Sequence, residues 1–206
     1  MKNLIILFGI ILVTAFSGCS KEPASNVKDA LENEIKPPNE FIFADDLLAL
    51  DSHSQLEKIF GMENLSISEE WFEEGTVKKS QSKIYPNTKN EISITWKENE
   101  KDIKSISFSS IDSKWKLKNG LFVGMSLEDL EKINDKSISF YGFGWDQGGL
   151  IDFNEGVLAS QRLQVYLSFP EDGWENLMGD RKFQANSKKA ESAELRIGEI
   201  KLFPTE

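Results

Sequence analysis

Two stretches of the chain repeat apolar residues at helical spacing. Leu127, Leu130 and Ile133 recur three apart, as do Leu56 and Ile59 with Phe60 beside them, so each stretch presents one apolar stripe of a short helix. Ser52 precedes the first stripe with Gln55 three residues on, and Ser126 precedes the second with Asp129. A serine hydroxyl at an N-cap accepts from an orphan amide of the first turn, and a carboxylate there sits at the positive end of the helix dipole. Met125 and Leu130 hold the positions of a hydrophobic staple. Helices this short are marginal alone and depend on what they pack against. After each helix the period falls to two. Ile92, Ile94 and Trp96 alternate with Ser93 and Thr95, while Val165, Leu167 and Phe169 alternate with Tyr166 and Ser168, the pattern of half-buried antiparallel strands. Further strands are predicted over 103–108 and 193–203, with turn residues at 87–90 and 99–102.

These elements recur as a unit. Leu56-Glu57-Lys58-Ile59 returns as Leu130-Glu131-Lys132-Ile133, from 56 to 130 an offset of 74. At that offset Ser52 meets Ser126, Gln55 meets Asp129, Leu47-Leu48-Ala49 meets Leu121-Phe122-Val123, and Trp71 meets Trp145. Agreement at so many positions predicts an internal repeat. The expected fold is α+β, with two tandem units over 40–115 and 116–206, each a short helix or helical hairpin packed on an antiparallel sheet. The second unit carries an insertion near 171–190 whose pattern predicts no particular fold.

Ahead of the repeat, Lys2 precedes an apolar run over 4–16 that is too short for a bilayer-spanning helix and reads as a secretory signal covering 1–18. The run ends in Phe16-Ser17-Gly18-Cys19, which resembles the bacterial lipoprotein lipobox, with Phe16 where Leu is usual. The resemblance implies that Cys19 is acylated, becomes the mature N-terminus and fixes the protein to a membrane. Two or more acyl chains, at about 0.8 kcal/mol per buried CH₂, make such an anchor effectively permanent. Ser20, rather than Asp, follows the cysteine, and in lipoproteins of Gram-negative bacteria this implies transport to the outer membrane. The expected location is therefore the cell envelope, lipid-anchored at the outer membrane. Residues 20–39 contain Pro23, Pro37 and Pro38 and few apolar residues, so 19–39 is expected to be the acylated cysteine and a flexible tether.

The run Gly120-Leu121-Phe122-Val123-Gly124-Met125-Ser126-Leu127-Glu128-Asp129-Leu130 resembles the opening of small envelope lipoprotein domains of the BamE (SmpA/OmlA) type. It is similar, too, to the opening of each half of the secreted β-lactamase inhibitor protein, in which two helix-plus-sheet units stand in tandem. The resemblance implies a fold and a habit of binding proteins, and it carries no contact residue. The inhibitor has a disulfide in each half, which a chain with one Cys cannot form.

Composition narrows the function. With 39% hydrophobic residues, 14 Phe and 5 Trp the chain can bury a core, and a net charge of −10 makes nucleic acid an unexpected partner. One Cys and one His exclude disulfides, thiolate zinc sites and most histidine-based catalysis. There is no Gly-x-Ser-x-Gly elbow, phosphate loop, dinucleotide fingerprint or calcium loop. No catalytic residue, metal or cofactor is therefore expected. The acid pairs Asp45-Asp46, Glu69-Glu70 and Glu73-Glu74 read as solvated faces. His53, in the first turn of the first helix, is expected to be exposed. Ser80, Ser82 and Ser113 lie near lysines, a dyad pattern that lysine-rich surfaces produce without chemistry.

The segment Phe140-Tyr141-Gly142-Phe143-Gly144-Trp145-Asp146-Gln147-Gly148-Gly149 interleaves four aromatics with glycines. One reading is a bulged strand whose glycines make room for core rings. The other is a gripping surface in which Tyr141, Phe143 and Trp145 offer stacking faces and Asp146 and Gln147 offer hydrogen bonds to a protein loop or a sugar ring. Strand parity places Tyr141, Phe143 and Trp145 on one face. The expected function is a non-enzymatic, lipid-anchored protein-binding module, either an assembly accessory or of the inhibitor and immunity type. Its partner would be another envelope or secreted protein, with basic partners favoured by the acidity of the chain. The alternative is a surface glycan-binding module using 140–149.

Overall fold

The computed structural model describes residues 43–72, 74–98, 101–160 and 162–205. The signal segment, Cys19 and the tether lie outside the described residues. The first regular element is a 3-10 turn over Ala44–Ala49, with Ala44 and Leu47 buried. It is pinned to the middle of the chain. Ala44 N donates to Lys116 O at 2.9 Å, Lys118 N donates to Asp45 Oδ2 at 2.9 Å, and the Lys118 ammonium lies 2.6 Å from Asp46 Oδ1.

Helix α1 (His53–Phe60) begins where its cap residue permits, Ser52 Oγ accepting from Gln55 N at 3.4 Å. It stops at Gly61, whose φ of +78° suits a residue without Cβ. Leu56, Ile59 and Phe60 form its buried stripe. Helix α2 (Leu127–Asn134) repeats the design. Ser126 Oγ accepts from Asp129 N at 3.2 Å, Met125 and Leu130 are both buried, and Asp135 ends the helix in the left-handed region.

Strands β1 (Leu65–Phe72), β2 (Val77–Ile84), β3 (Ile92–Trp96) and β4 (Ile103–Phe108) form an antiparallel meander. The sheet continues through β9 (Ile197–Leu202), which pairs with β4, and ends on β7 (Leu163–Leu167), in the order β1-β2-β3-β4-β9-β7. Its register sets Ile94 opposite Ile106 and Ile106 opposite Leu202, so one face is continuously apolar. The reverse face carries Gln81, Lys83, Ser93, Ser107 and Lys201. A second antiparallel sheet orders β6 (Ile151–Asp152), β5 (Ser139–Tyr141) and β8 (Lys182–Gln184). A single bridge from Leu150 to Tyr166 joins the stretch before β6 to β7. The architecture is α+β, and one core cluster takes residues from both halves, among them Leu56, Trp96, Leu130, Phe140 and Ile200. Among the described residues, no helix is long and apolar enough to cross a membrane.

The insertion folds as a 3-10 turn over Trp174–Leu177, then β8, then helix α3 (Lys188–Ser192), capped by Ser187. The predicted strand over 193–203 is accordingly shorter. The strand expected to carry Phe169 inward ends at Leu167 instead, after a register irregularity between Tyr166 and Leu167, and Phe169 turns outward, 57% exposed. The extra residue of that irregularity, Gly198, belongs to β9, and Val165 and Leu167 both stay buried; the strand ends beyond them, where Pro170 has no N–H to donate to a continuing ladder.

Candidate functional site

Strand β5 ends at Tyr141, and beyond it the chain threads between two neighbours. Tyr141 N donates to Leu150 O and Gly149 N donates to Tyr141 O, both at 2.9 Å. Gly142 N then donates to Arg181 O at 2.8 Å, Phe143 N to Leu177 O at 2.9 Å, and Gly179 N returns to Phe143 O at 3.2 Å. A Cβ at Gly142 would lie 2.4 Å from Gly179 O, so the close approach of these two backbones requires glycine. Gly148 N donates to Trp145 O at 2.8 Å and closes a turn, with Trp145, Asp146 and Gln147 at its exposed tip.

The predicted site residues therefore divide. Trp145 is 59% exposed, and Asp146 and Gln147 are exposed beside it. Tyr141 is half-buried. Phe143 departs from the expectation of a shared face, being only 3% exposed. Alternation applies within a strand, and the chain has left the strand by Gly142, so Phe143 packs into the core against Phe140 while Trp145 swings out. Phe143 offers no face to a ligand.

Tyr141, Trp145, Asp146 and Gln147 border an open cleft of about 210 Å³, completed by Asp180 and floored by Gly142 and Gly179. Lys182 stands beside it. Its ammonium lies 4.9 Å from the Tyr141 ring centroid and pairs with Asp152. That pairing, with Asn154 N donating to Asp152 Oδ1 at 2.8 Å, holds the Asp152 carboxyl below its ordinary value.

Sequence reasoning missed a larger groove. Phe169 and Ile111, the latter 65% exposed, flank a cleft of about 570 Å³ that also takes in Ala193 and Leu195. Glu171, Asp172 and Glu194 supply acidic groups to its lining. The one cation there, Arg196, donates from Nη1 to Gly124 O at 3.2 Å. Buried Phe143 supports the groove from behind, its ring edge-on to Phe169 at 5.2 Å, and Trp174 flanks Phe169 at 5.7 Å. The available signal was Pro170, which closes the alternating run immediately after Phe169.

His53 also departs from expectation. It is half-buried against Trp96, ring centroids 4.5 Å apart, with Nδ1 2.7 Å from Ser82 Oγ and Nε2 3.4 Å from Ser80 Oγ. Trp96 Nε1 donates to Ser82 Oγ at 2.9 Å, so both rings meet at one hydroxyl. Ser82 is completely buried, so this serine–histidine contact satisfies polar groups over the sheet and is closed to a substrate. Among the described residues, no group of three or more His, Cys, Asp or Glu is placed to hold a metal ion.

No family model matches the chain, and no curated protein matches it. Among solved structures it is similar to the uncharacterized protein yfeY from Escherichia coli, with a TM-score of 0.43 at 13% identity, over 74% of this chain and 88% of that one.

Proposed function

We propose that this chain is a lipid-anchored envelope protein, without catalytic activity, that binds another protein through the Phe169 groove. The observation that carries the reading is the groove itself. Two large apolar side chains, Phe169 and Ile111, stand exposed across an open cleft lined by Glu171, Asp172 and Glu194. Monomeric surfaces seldom expose paired apolar anchors without use, and an aromatic held by packing behind it is the usual centre of an interface. The acidic lining favours a segment with an apolar residue flanked by Lys or Arg, and the net charge of −10 steers such a partner. The lipobox-like Cys19 and the BamE-like or inhibitor-like opening over 120–130 support anchoring and protein binding, with an assembly accessory or an inhibitor as the two forms of that role.

Site-specific photo-crosslinking of the full-length chain in the producing cell tests this. Probes at Ile111 and Glu194 should trap the same protein, and the purified pair should bind with an affinity that falls with salt and drops by about thirtyfold or more on Phe169→Ala. A complex indifferent to Phe169→Ala, or no shared adduct from the two positions, would refute the assignment. Anchoring is tested separately by palmitate labelling, which Cys19→Ser should abolish.

A further inference from the structure

We infer that the Trp145 cleft is a carbohydrate subsite for one uncharged or amino-bearing pyranose ring, a binding function separate from the Phe169 groove. Four observations converge on this ligand class. Trp145 presents an exposed indole at the tip of a turn, a flat apolar face that matches the C–H face of a sugar ring. Around it stand two carboxylates, Asp146 and Asp180, one amide, Gln147, and the Tyr141 phenol. Those groups accept from and donate to adjacent hydroxyls, which sugars present in pairs. The volume, about 210 Å³, is below the roughly 300 Å³ at which pockets for drug-sized ligands begin, and suits one ring with its neighbours in solvent. The floor is rigid, because Gly142 N, Phe143 N and Gly179 N are all committed to the backbone crossing beneath. A preformed site loses little entropy on binding.

The charge pattern sets the selectivity. None of the residues lining the cleft is a cation. Lys182, beside the cleft over the Tyr141 ring, is paired with Asp152, and Arg181 lies over the Phe183 ring at 4.7 Å. A uronic or sulfated sugar would bring its anion against Asp146 and Asp180, with no cation in the lining and the adjacent Lys182 already paired to a carboxylate. A quaternary ammonium is the other ligand that an aromatic site with carboxylates attracts, but it needs converging ring faces. Lys182 already lies over the Tyr141 ring, so one of the two rings lining the cleft is already given to a cation.

The test is calorimetric titration of the full-length protein, kept in a detergent without a sugar headgroup, with four probes. These are cellobiose, N,N′-diacetylchitobiose, the glucosamine dimer and digalacturonate. The first three include at least one binder and digalacturonate is not bound; Trp145→Ala weakens the binder by about tenfold or more. Trp145→Phe retains part of the affinity, and the pair Asp146→Asn with Asp180→Asn weakens binding without loss of the folded state. Trp71→Ala, an equally exposed tryptophan in the first half, leaves it unchanged. The inference is overturned if none of the first three binds at about 10 mM, if digalacturonate binds as well as they do, or if Trp145→Ala binds like wild type. Phe169→Ala leaves sugar binding intact, so the two surfaces fail or succeed independently.

Discussion

The hairpin that follows α1 and the hairpin that follows α2 solve the same problem differently. Strands β1 and β2 are eight residues each and pair without a break from Leu65 opposite Ile84 to Phe72 opposite Val77. Strands β5 and β6 share only two pairs, Ser139 with Asp152 and Phe140 with Ile151. Among the described residues β1 leaves its outer edge unpaired, guarded by Glu69 and Glu70 with Lys78 across the hairpin. The corresponding edge of β5 is taken by β8 from the insertion. Trp71 and Trp145, 74 positions apart, are both exposed, 63% and 59%, and Trp145 faces a wall because the insertion brings Gly179 and Asp180 alongside it. An exposed aromatic becomes one wall of a cleft when a second backbone is laid against its strand, and the insertion that supplies it also contributes Glu171 and Asp172 to the groove.

The largest test of this contrast is Phe140→Ala. Phe140 is fully buried, stacked on Phe183 of β8 at 5.7 Å and touching Phe143 at 6.2 Å, so truncation removes the core that joins the insertion to β5. A loss of about 3–5 kcal/mol is expected in urea unfolding of the full chain, against less than about 0.5 kcal/mol for Trp71→Ala or Trp145→Ala. Comparable losses for all three would mean that the tryptophans are structural and that the contrast between the hairpins is misdrawn.

Next in size is the glycine at the crossing. Gly142→Ala forces a Cβ to within 2.4 Å of Gly179 O, a backbone atom that cannot swing aside, and should cost about 1–3 kcal/mol. Gly75, at the β1–β2 turn, has nothing within 4 Å but a φ of +82°, so Gly75→Ala should cost about 1 kcal/mol through backbone strain alone. Hydrogen exchange separates the two causes. Gly142→Ala should deprotect Phe143 N and Gly179 N, whereas Gly75→Ala should leave both protected.

Much of the fold was legible because local signals and burial agree. The serine caps at 52 and 126, the apolar stripes they start and the strands over 92–96 and 103–108 all appear where the sequence puts them. The site was legible only in part. Trp145, Asp146 and Gln147 are exposed, but Phe143 is not, because parity extrapolates a strand past the glycine at which the chain leaves it. Phe169 was hidden in the same way, its alternation continuing in sequence past Leu167, where the strand ends in space. His53 carries no pattern of its own, and its environment comes from β2 and β3, 27 to 43 residues away. The insertion has no long periodic run, and its fold is set by the strand edge it covers.

The smallest effect probes that covering directly. Lys182 of β8 reaches past Tyr141 to Asp152 of β6, tying the inserted strand to the far side of its sheet. Asp152 titrates below its ordinary value, chiefly through this bond and then through Asn154 N. A carboxyl depressed in the folded state stabilises above its unfolded pKa, near 3.9, and loses that contribution as the pH falls through the lower folded value. The pair is partly exposed, so the contribution should stay under about 1 kcal/mol. Between pH 5 and the acid limit, exchange protection of β8 amides should decline before that of β3 and β4. Asp152→Asn should lower that protection at neutral pH and flatten the decline, because the charge that made it pH-dependent is gone. A decline that persists unchanged in Asp152→Asn would show that β8 is held by its ladder to β5 alone, and the insertion would then be a passive edge cover.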